Sequence, residues 1–181
     1  MSVHLTNQYI QKKDANYKEV KETSAWSMEK FNEFVNEHYA ESKGIEKDWV
    51  FKTMTKQIQR IIVHIFSAVK HKLASKVGYF ELYGLDFMVD DNMKLYLIEV
   101  NTNPALACNC AALTEVIPGV VAESVHLAIE CFEKARKGQP LLPLKALKGF
   151  QSLYHGQRRL VDFGPLENVN EPDDPNGMLP I

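Results

Sequence analysis

The sequence has no glycine-rich phosphate loop, no long apolar run and no strong charge of either sign, and each absence removes a class of function. Its 9 glycines form neither a G-x-x-x-x-G-K-[ST] loop nor a G-x-G-x-x-G fingerprint, so P-loop and dinucleotide-fold readings have no support. The longest apolar runs fall far short of the roughly 20 residues that span a bilayer, and the opening MSVHLTNQ lacks a signal-peptide pattern. A formal net charge of −2, from 21 basic and 23 acidic residues, points to no nucleic-acid or membrane partner. Three cysteines, Cys108, Cys110 and Cys131, give an odd count without C-x-x-C spacing. They read as reduced thiols of a cytosolic protein rather than a zinc or disulfide framework. What is present suffices for a core. A chain of 181 residues with 45% hydrophobic content fits one domain, or a piece of a larger one, without a stabilising staple.

Along the chain, Val3 to Lys12 reads as a short strand or extended loop. Met28, Phe31, Phe34 or Val35, and His38 recur at helical spacing between Ser27 and Tyr39. After Ser42-Lys43-Gly44, the residues Ile58, Ile61, Ile62, Ile65, Phe66, Val69 and Leu73 form a clearer helical stripe, which Gly78 follows. His64 and His71 fall at or off its edge and read as solvated helix residues, not ligands. The period then changes. Tyr79 to Val89 and Lys94 to Val100 are rich in aromatic and aliphatic residues, with the turn formers Asp90-Asp91-Asn92 between them, which predicts an antiparallel hairpin. A loop from Asn101 to about Glu115 leads to a second amphipathic helix, from about Pro118 to Lys137. Beyond Gly138 prolines recur. Basic residues cluster up to Arg159 and only acidic ones follow, so 138–181 is expected to be an irregular tail, docked near Leu141 to Tyr154. The fold class is therefore α/β (α+β): an antiparallel hairpin packed against amphipathic helices.

The hairpin carries the chemistry. Side chains alternate faces along a strand, so Glu99 and Asn101 point the same way. If the hairpin loop has an even number of residues, Asp86 shares that face, directly opposite Glu99 or diagonal to it. Two facing carboxylates repel unless something neutralises them. Asp, Glu and an Asn carbonyl are hard oxygen donors that suit Mg²⁺ or Mn²⁺. Leu85, Phe87, Leu97, Ile98 and Val100 surround the acids with the composition of a buried sheet. An ordinary amphipathic hairpin with a wet polar face is the alternative from alternation alone. Asp90 and Asp91 are expected to serve the turn. A magnesium ion that keeps open positions takes water and nucleotide phosphates there, which points to phosphoryl transfer.

The segment "FELYGLDFMVDDNMKLYLIEVNTNPAL", together with the opening "HLTNQYIQKK" and the long helix between them, resembles the tubulin–tyrosine-ligase-like family of ATP-grasp ligases over about residues 3 to 137. "EVNTNPAL" and "LTEVIPGVV" look most like the polyglycylase branch. The resemblance implies the C-terminal part of an ATP-grasp fold over 1–137, with Asp86, Glu99 and Asn101 as magnesium ligands. It places Thr6 and Asn7 in a loop lining the nucleotide and amino-acid region. It also implies ATP as co-substrate, free glycine as the added amino acid, and tubulin or another acidic-tailed protein as acceptor. An acylphosphate intermediate makes a covalent protein nucleophile unnecessary. A cytoplasmic monomer at the cytoskeleton or ciliary axoneme is expected. The family's phosphate-holding lysines, glycine loop and adenine hinge would lie upstream of Met1, so the chain is expected to be a fragment inactive alone. Two alternatives remain: a non-catalytic tubulin-binding module, and another ATP-grasp ligase such as a polyglutamylase.

Overall fold

A computed structural model describes Tyr17, residues 25–156 and residues 158–161. Helix α1 (Met28–His38) begins where Ser27 caps it, its hydroxyl accepting the Lys30 backbone N–H at 3.2 Å. A single turn, α2 (Ala40–Lys43), closes on Gly44 in the left-handed region. Asp48 also has positive φ, at 62°, and is held there from α1. Asn32 donates to its carboxylate at 3.0 Å, and the Asp48 N–H donates to the Asn36 carbonyl at 2.9 Å. These bonds aim the next two residues inward. Trp49 is 3% and Val50 0% exposed.

A π-helical turn (Val50–Met54) runs directly into α3 (Thr55–Val69), which ends in a 3-10 turn over Lys70–Lys72. Val35, Trp49, Val50, Met54 and Leu95 form the buried cluster, with Ile58, Ile61, Phe87 and Val89 packed against it. Each fully buried aliphatic side chain contributes about 1.5–3 kcal/mol, so this small cluster is the main thermodynamic anchor of the N-terminal half. The predicted stripe on α3 supplies Ile58 and Ile61 to it, but the buried residue of α3 is Val63, outside that stripe. Phe66, Val69 and Leu73, which belong to the stripe, stay partly exposed. The helix is used on two sides.

Strands β1 (Gly84–Val89) and β2 (Leu95–Asn101) pair antiparallel. The turn between them is organised by Asp90, whose carboxylate accepts N–H bonds from Asn92 at 2.9 Å and Lys94 at 2.8 Å. Those bonds hold the Asp90 carboxyl below its ordinary value, as a turn residue rather than a ligand. Among the described residues the expected strand over 79–83 is not formed, and pairing begins at Gly84.

Helix α4 (Ala111–Arg136) starts seven residues earlier than Pro118, which lies inside it. Its N-terminal end, with Ala111, Ala112 and Leu113, favours helix strongly enough to extend past the proline. By length and composition α4 is apolar enough to cross a bilayer, yet Glu123 and Glu130 on one face are engaged by backbone N–H groups of the segment that follows. That segment crosses back over α3 and ends in a small hairpin, β3 (Tyr154–His155) and β4 (Arg158–Arg159).

Candidate functional site

The register settles which residues meet. Near the turn, Val89 pairs with Leu95, Met88 with Tyr96 and Phe87 with Leu97, across a loop of five residues (90–94). An odd loop would have put Asp86 opposite Ile98 and turned Glu99 to the other face. A bulge between Asp86 and Phe87 absorbs one residue of β2 and changes the parity. Beyond it Asp86 faces Glu99, Leu85 faces Val100 and Gly84 faces Asn101. The expected juxtaposition is present, through an odd loop and a bulge rather than the even loop assumed from sequence.

Asp86 and Glu99 are exposed, contrary to the buried setting that their neighbours' composition suggests. Phe87, Val89 and Leu95 take the inner face and pack on the core, which leaves the carboxylates on the open one. Met88 and Ile98 lie partly exposed beside them, at 54% and 58%. Desolvation by neighbouring atoms is the largest cause that raises the Asp86 carboxyl above its ordinary range, although the residue as a whole is exposed. The hydrogen bond to Glu99 and the Glu99 charge push it the same way. A bound cation would offset the same repulsion between the two carboxylates. Asn101 Nδ2 donates to Glu99 Oε1 at 3.2 Å, which orients both side chains. Two carboxylates and an amide carbonyl make an oxygen-only donor set, and that chemistry fits a hard divalent cation. No group of three or more His, Cys, Asp or Glu side chains is assembled for a metal among the described residues. Thr6 and Asn7 lie outside the described residues.

Sequence reasoning missed Gly84. A Cβ built there would lie 2.9 Å from Pro104 Cβ and 3.8 Å from Asn101 Cβ. The loop after Asn101 therefore folds back onto β1, and only glycine admits it. The signal in the sequence was a lone glycine at the head of a strand pattern, which marks close backbone approach.

The tubulin-tyrosine ligase family profile matches residues 1–137, which include all three residues of the hairpin site. The chain belongs to the tubulin-tyrosine ligase family. Its helices and small antiparallel sheets are the mixed α/β architecture of that ATP-grasp-like family. It is 50% identical over 157 residues to Protein polyglycylase TTLL10 of Macaca fascicularis, covering 87% of this chain and 25% of that protein. It is 48% identical over 154 residues to Inactive polyglycylase TTLL10 of Homo sapiens, covering 85% of this chain and 23% of the relative. Against Probable tubulin polyglutamylase TTLL2 of Homo sapiens, identity falls to 30% over 133 residues, covering 70% of this chain and 20% of the relative. The chain thus spans about a quarter of the length of the curated relatives it matches best among these. No solved structure matches it.

Proposed function

We propose that this chain carries the cation-binding part of an ATP-dependent protein–amino-acid ligase of the polyglycylase type, with Asp86, Glu99 and Asn101 holding Mg²⁺ or Mn²⁺. The observation that carries the reading is the bulged register that sets Asp86 against Glu99 with Asn101 bonded beside them. Similarity of about one residue in two to polyglycylase relatives supports the choice of glycine over glutamate.

In this reading ATP transfers its terminal phosphoryl group to a carboxylate oxygen of the acceptor and leaves as ADP. The acceptor is a glutamate side chain or glycine chain of tubulin or another acidic-tailed protein. The amine of glycine then attacks the acyl carbon, loses a proton and forms the amide bond, while phosphate departs with the electrons of the carbon–oxygen bond. A bound divalent cation would neutralise charge on the phosphate oxygens during transfer. The chain's own contribution is positional. The paired strands fix Asp86 and Glu99 at one distance, and Asn101 keeps the Glu99 carboxylate turned toward the site. Phosphate contacts beyond these ligands would come from outside the hairpin, and ligation is proposed for a protein of the relatives' full length. A cytoskeletal setting, including the ciliary axoneme, follows from the acceptor, and a monomer suffices.

The test is a full-length protein containing this segment, assayed on tubulin with labelled glycine, glutamate and tyrosine. Incorporation of glycine, lost in Glu99→Gln with the fold retained, supports the proposal. Incorporation of glutamate alone replaces it with a polyglutamylase. A relative at 48% identity is named an inactive polyglycylase, which favours one other reading, a non-catalytic tubulin-binding module. Tubulin binding without incorporation of any of the three amino acids would establish that reading.

A further inference from the structure

We propose that residues 139–155 form a clasp that holds α4 onto α3, with Glu123 and Glu130 as its anchors. Helix α4 needs such a device, because none of its 26 residues is buried. Charged anchors to the strap that follows it supply one.

Glu123 and Glu130 stand two turns apart on one face of α4. The Glu123 carboxylate accepts the backbone N–H of Lys148 at 2.7 Å, of Gly149 at 2.9 Å and of Phe150 at 3.0 Å. Glu130 accepts those of Lys145 at 2.9 Å and Ala146 at 2.7 Å. Hydrogen bonds to an ionised acceptor are the strong kind, and here successive N–H groups converge on one carboxylate. One turn further, Lys134 pairs with Glu130 at 3.1 Å and donates to the carbonyls of Leu141, at 2.9 Å, and Pro143. The anchors read backbone rather than side chains. The strap must therefore be small where it lies closest, and a Cβ at Gly149 would sit 3.2 Å from Glu123 Oε2.

The other end is fastened to α3. Gln59 bonds Gln151, Phe66 meets Tyr154 edge-on with ring centroids 5.0 Å apart, and Lys70 Nζ donates to the Tyr154 hydroxyl at 2.7 Å. Gln59, Val63, Phe66 and Lys70 recur at the spacing of a single helical stripe, on which Val63 is 2% exposed. This explains why α3 is buried on a side the core does not reach. Between the clasp, α4 and residues 74–82 lies a cavity of about 520 Å³, lined in part by Leu141, Phe150, Tyr79 and Cys131. The clasp is one of its walls. The family profile ends at residue 137, whereas the macaque relative matches over 157 residues, so similarity continues beyond the profile.

Hydrogen exchange and cysteine alkylation on the whole 181-residue chain test this, comparing the native protein with the E123Q/E130Q variant. Loss of the ionised acceptors is expected to speed exchange at the amides of 145, 146 and 148–150 on the order of tenfold or more. Alkylation of Cys131 should quicken, while the already exposed Cys108 serves as reference. Amides of α1 and the Trp49 cluster should be unchanged. Strap amides that exchange equally fast in both proteins, with Cys131 unaltered, would overturn the clasp. If the double variant loses the Trp49 core, E123Q and E130Q singly, each leaving one anchor, must show the same order of effects in smaller steps.

Discussion

Replacing Gly84 with alanine isolates the contact that ties the candidate site to the loop beyond it. The added carbon would stand 2.9 Å from Pro104 Cβ and 3.8 Å from both Pro104 Cα and Asn101 Cβ. The first distance is about 0.6 Å inside the closest ordinary carbon–carbon separation of ~3.5 Å. Pro104 is a ring fused to its backbone, so the clash is relieved by moving the loop and not by a side-chain rotation. Overpacking of this kind costs about 1–3 kcal/mol. Alanine restricts the unfolded chain, which returns about 0.4–1 kcal/mol, since Gly84 does not occupy the left-handed region. A net loss of roughly 1–2 kcal/mol is expected from these opposing terms. Urea unfolding followed by Trp49 fluorescence measures the loss, and amide chemical shifts locate it. The shifts should be confined to Gly84, Asn101 and residues 102–105, with the Val35–Val50–Met54 cluster undisturbed. Unchanged stability together with unchanged Asn101 and Pro104 signals would refute the claim that the loop is packed on β1.

Further outcomes follow from the same contacts. Val50→Ala, at a fully buried position, is expected to cost about 2 kcal/mol through lost burial and a residual cavity, read as a lower urea midpoint. Ser27→Ala removes the cap on α1 and should cost about 1 kcal/mol, visible as a lower melting temperature with the hairpin unaltered. Backbone N–H bonds from Lys145 and Ala146 hold the Glu130 carboxyl down to about 2 from an ordinary 4.5, with Lys134 acting in the same direction. A depressed carboxyl stabilises the native state fully above the ordinary value, and that contribution is lost as pH falls from about 4.5 toward 2. Exchange at the Lys145 and Ala146 amides, corrected for intrinsic chemistry, should therefore rise across that acid range and stay level from pH 5 to 8. A rise above pH 5 would contradict it.

The hairpin was legible in the sequence because its turn is written in short-range chemistry. Asp90 binds the Asn92 and Lys94 amides within its own loop, so composition alone reveals it. The facing of Asp86 and Glu99 was legible only in outline. It depends on a bulge near Ile98, and an isoleucine in a bulge looks no different from one in a ladder. Residues 79–83 have the aromatic content of a strand but lack a strand partner among the described residues, and pairing is a non-local property. Proline favours the first turn of a helix, which places the expected boundary at Pro118, while good helix formers ahead of it carry α4 back to Ala111. Nothing in the helical periodicity singles out Glu123 and Glu130. Their partners are backbone amides some 15 to 27 positions away, for which side-chain periodicity holds no signal.

The account rests on Asp86, Glu99 and Asn101 acting as one oxygen site. Titration of the chain with Mn²⁺ under nuclear magnetic resonance tests it directly, because the paramagnetic ion broadens signals of nearby nuclei. Broadening should centre on the amides of 84–86 and 99–101 and disappear from them in Glu99→Gln, whose hairpin shifts otherwise persist. Broadening centred elsewhere, or unchanged by loss of the Glu99 charge, would contradict the assignment.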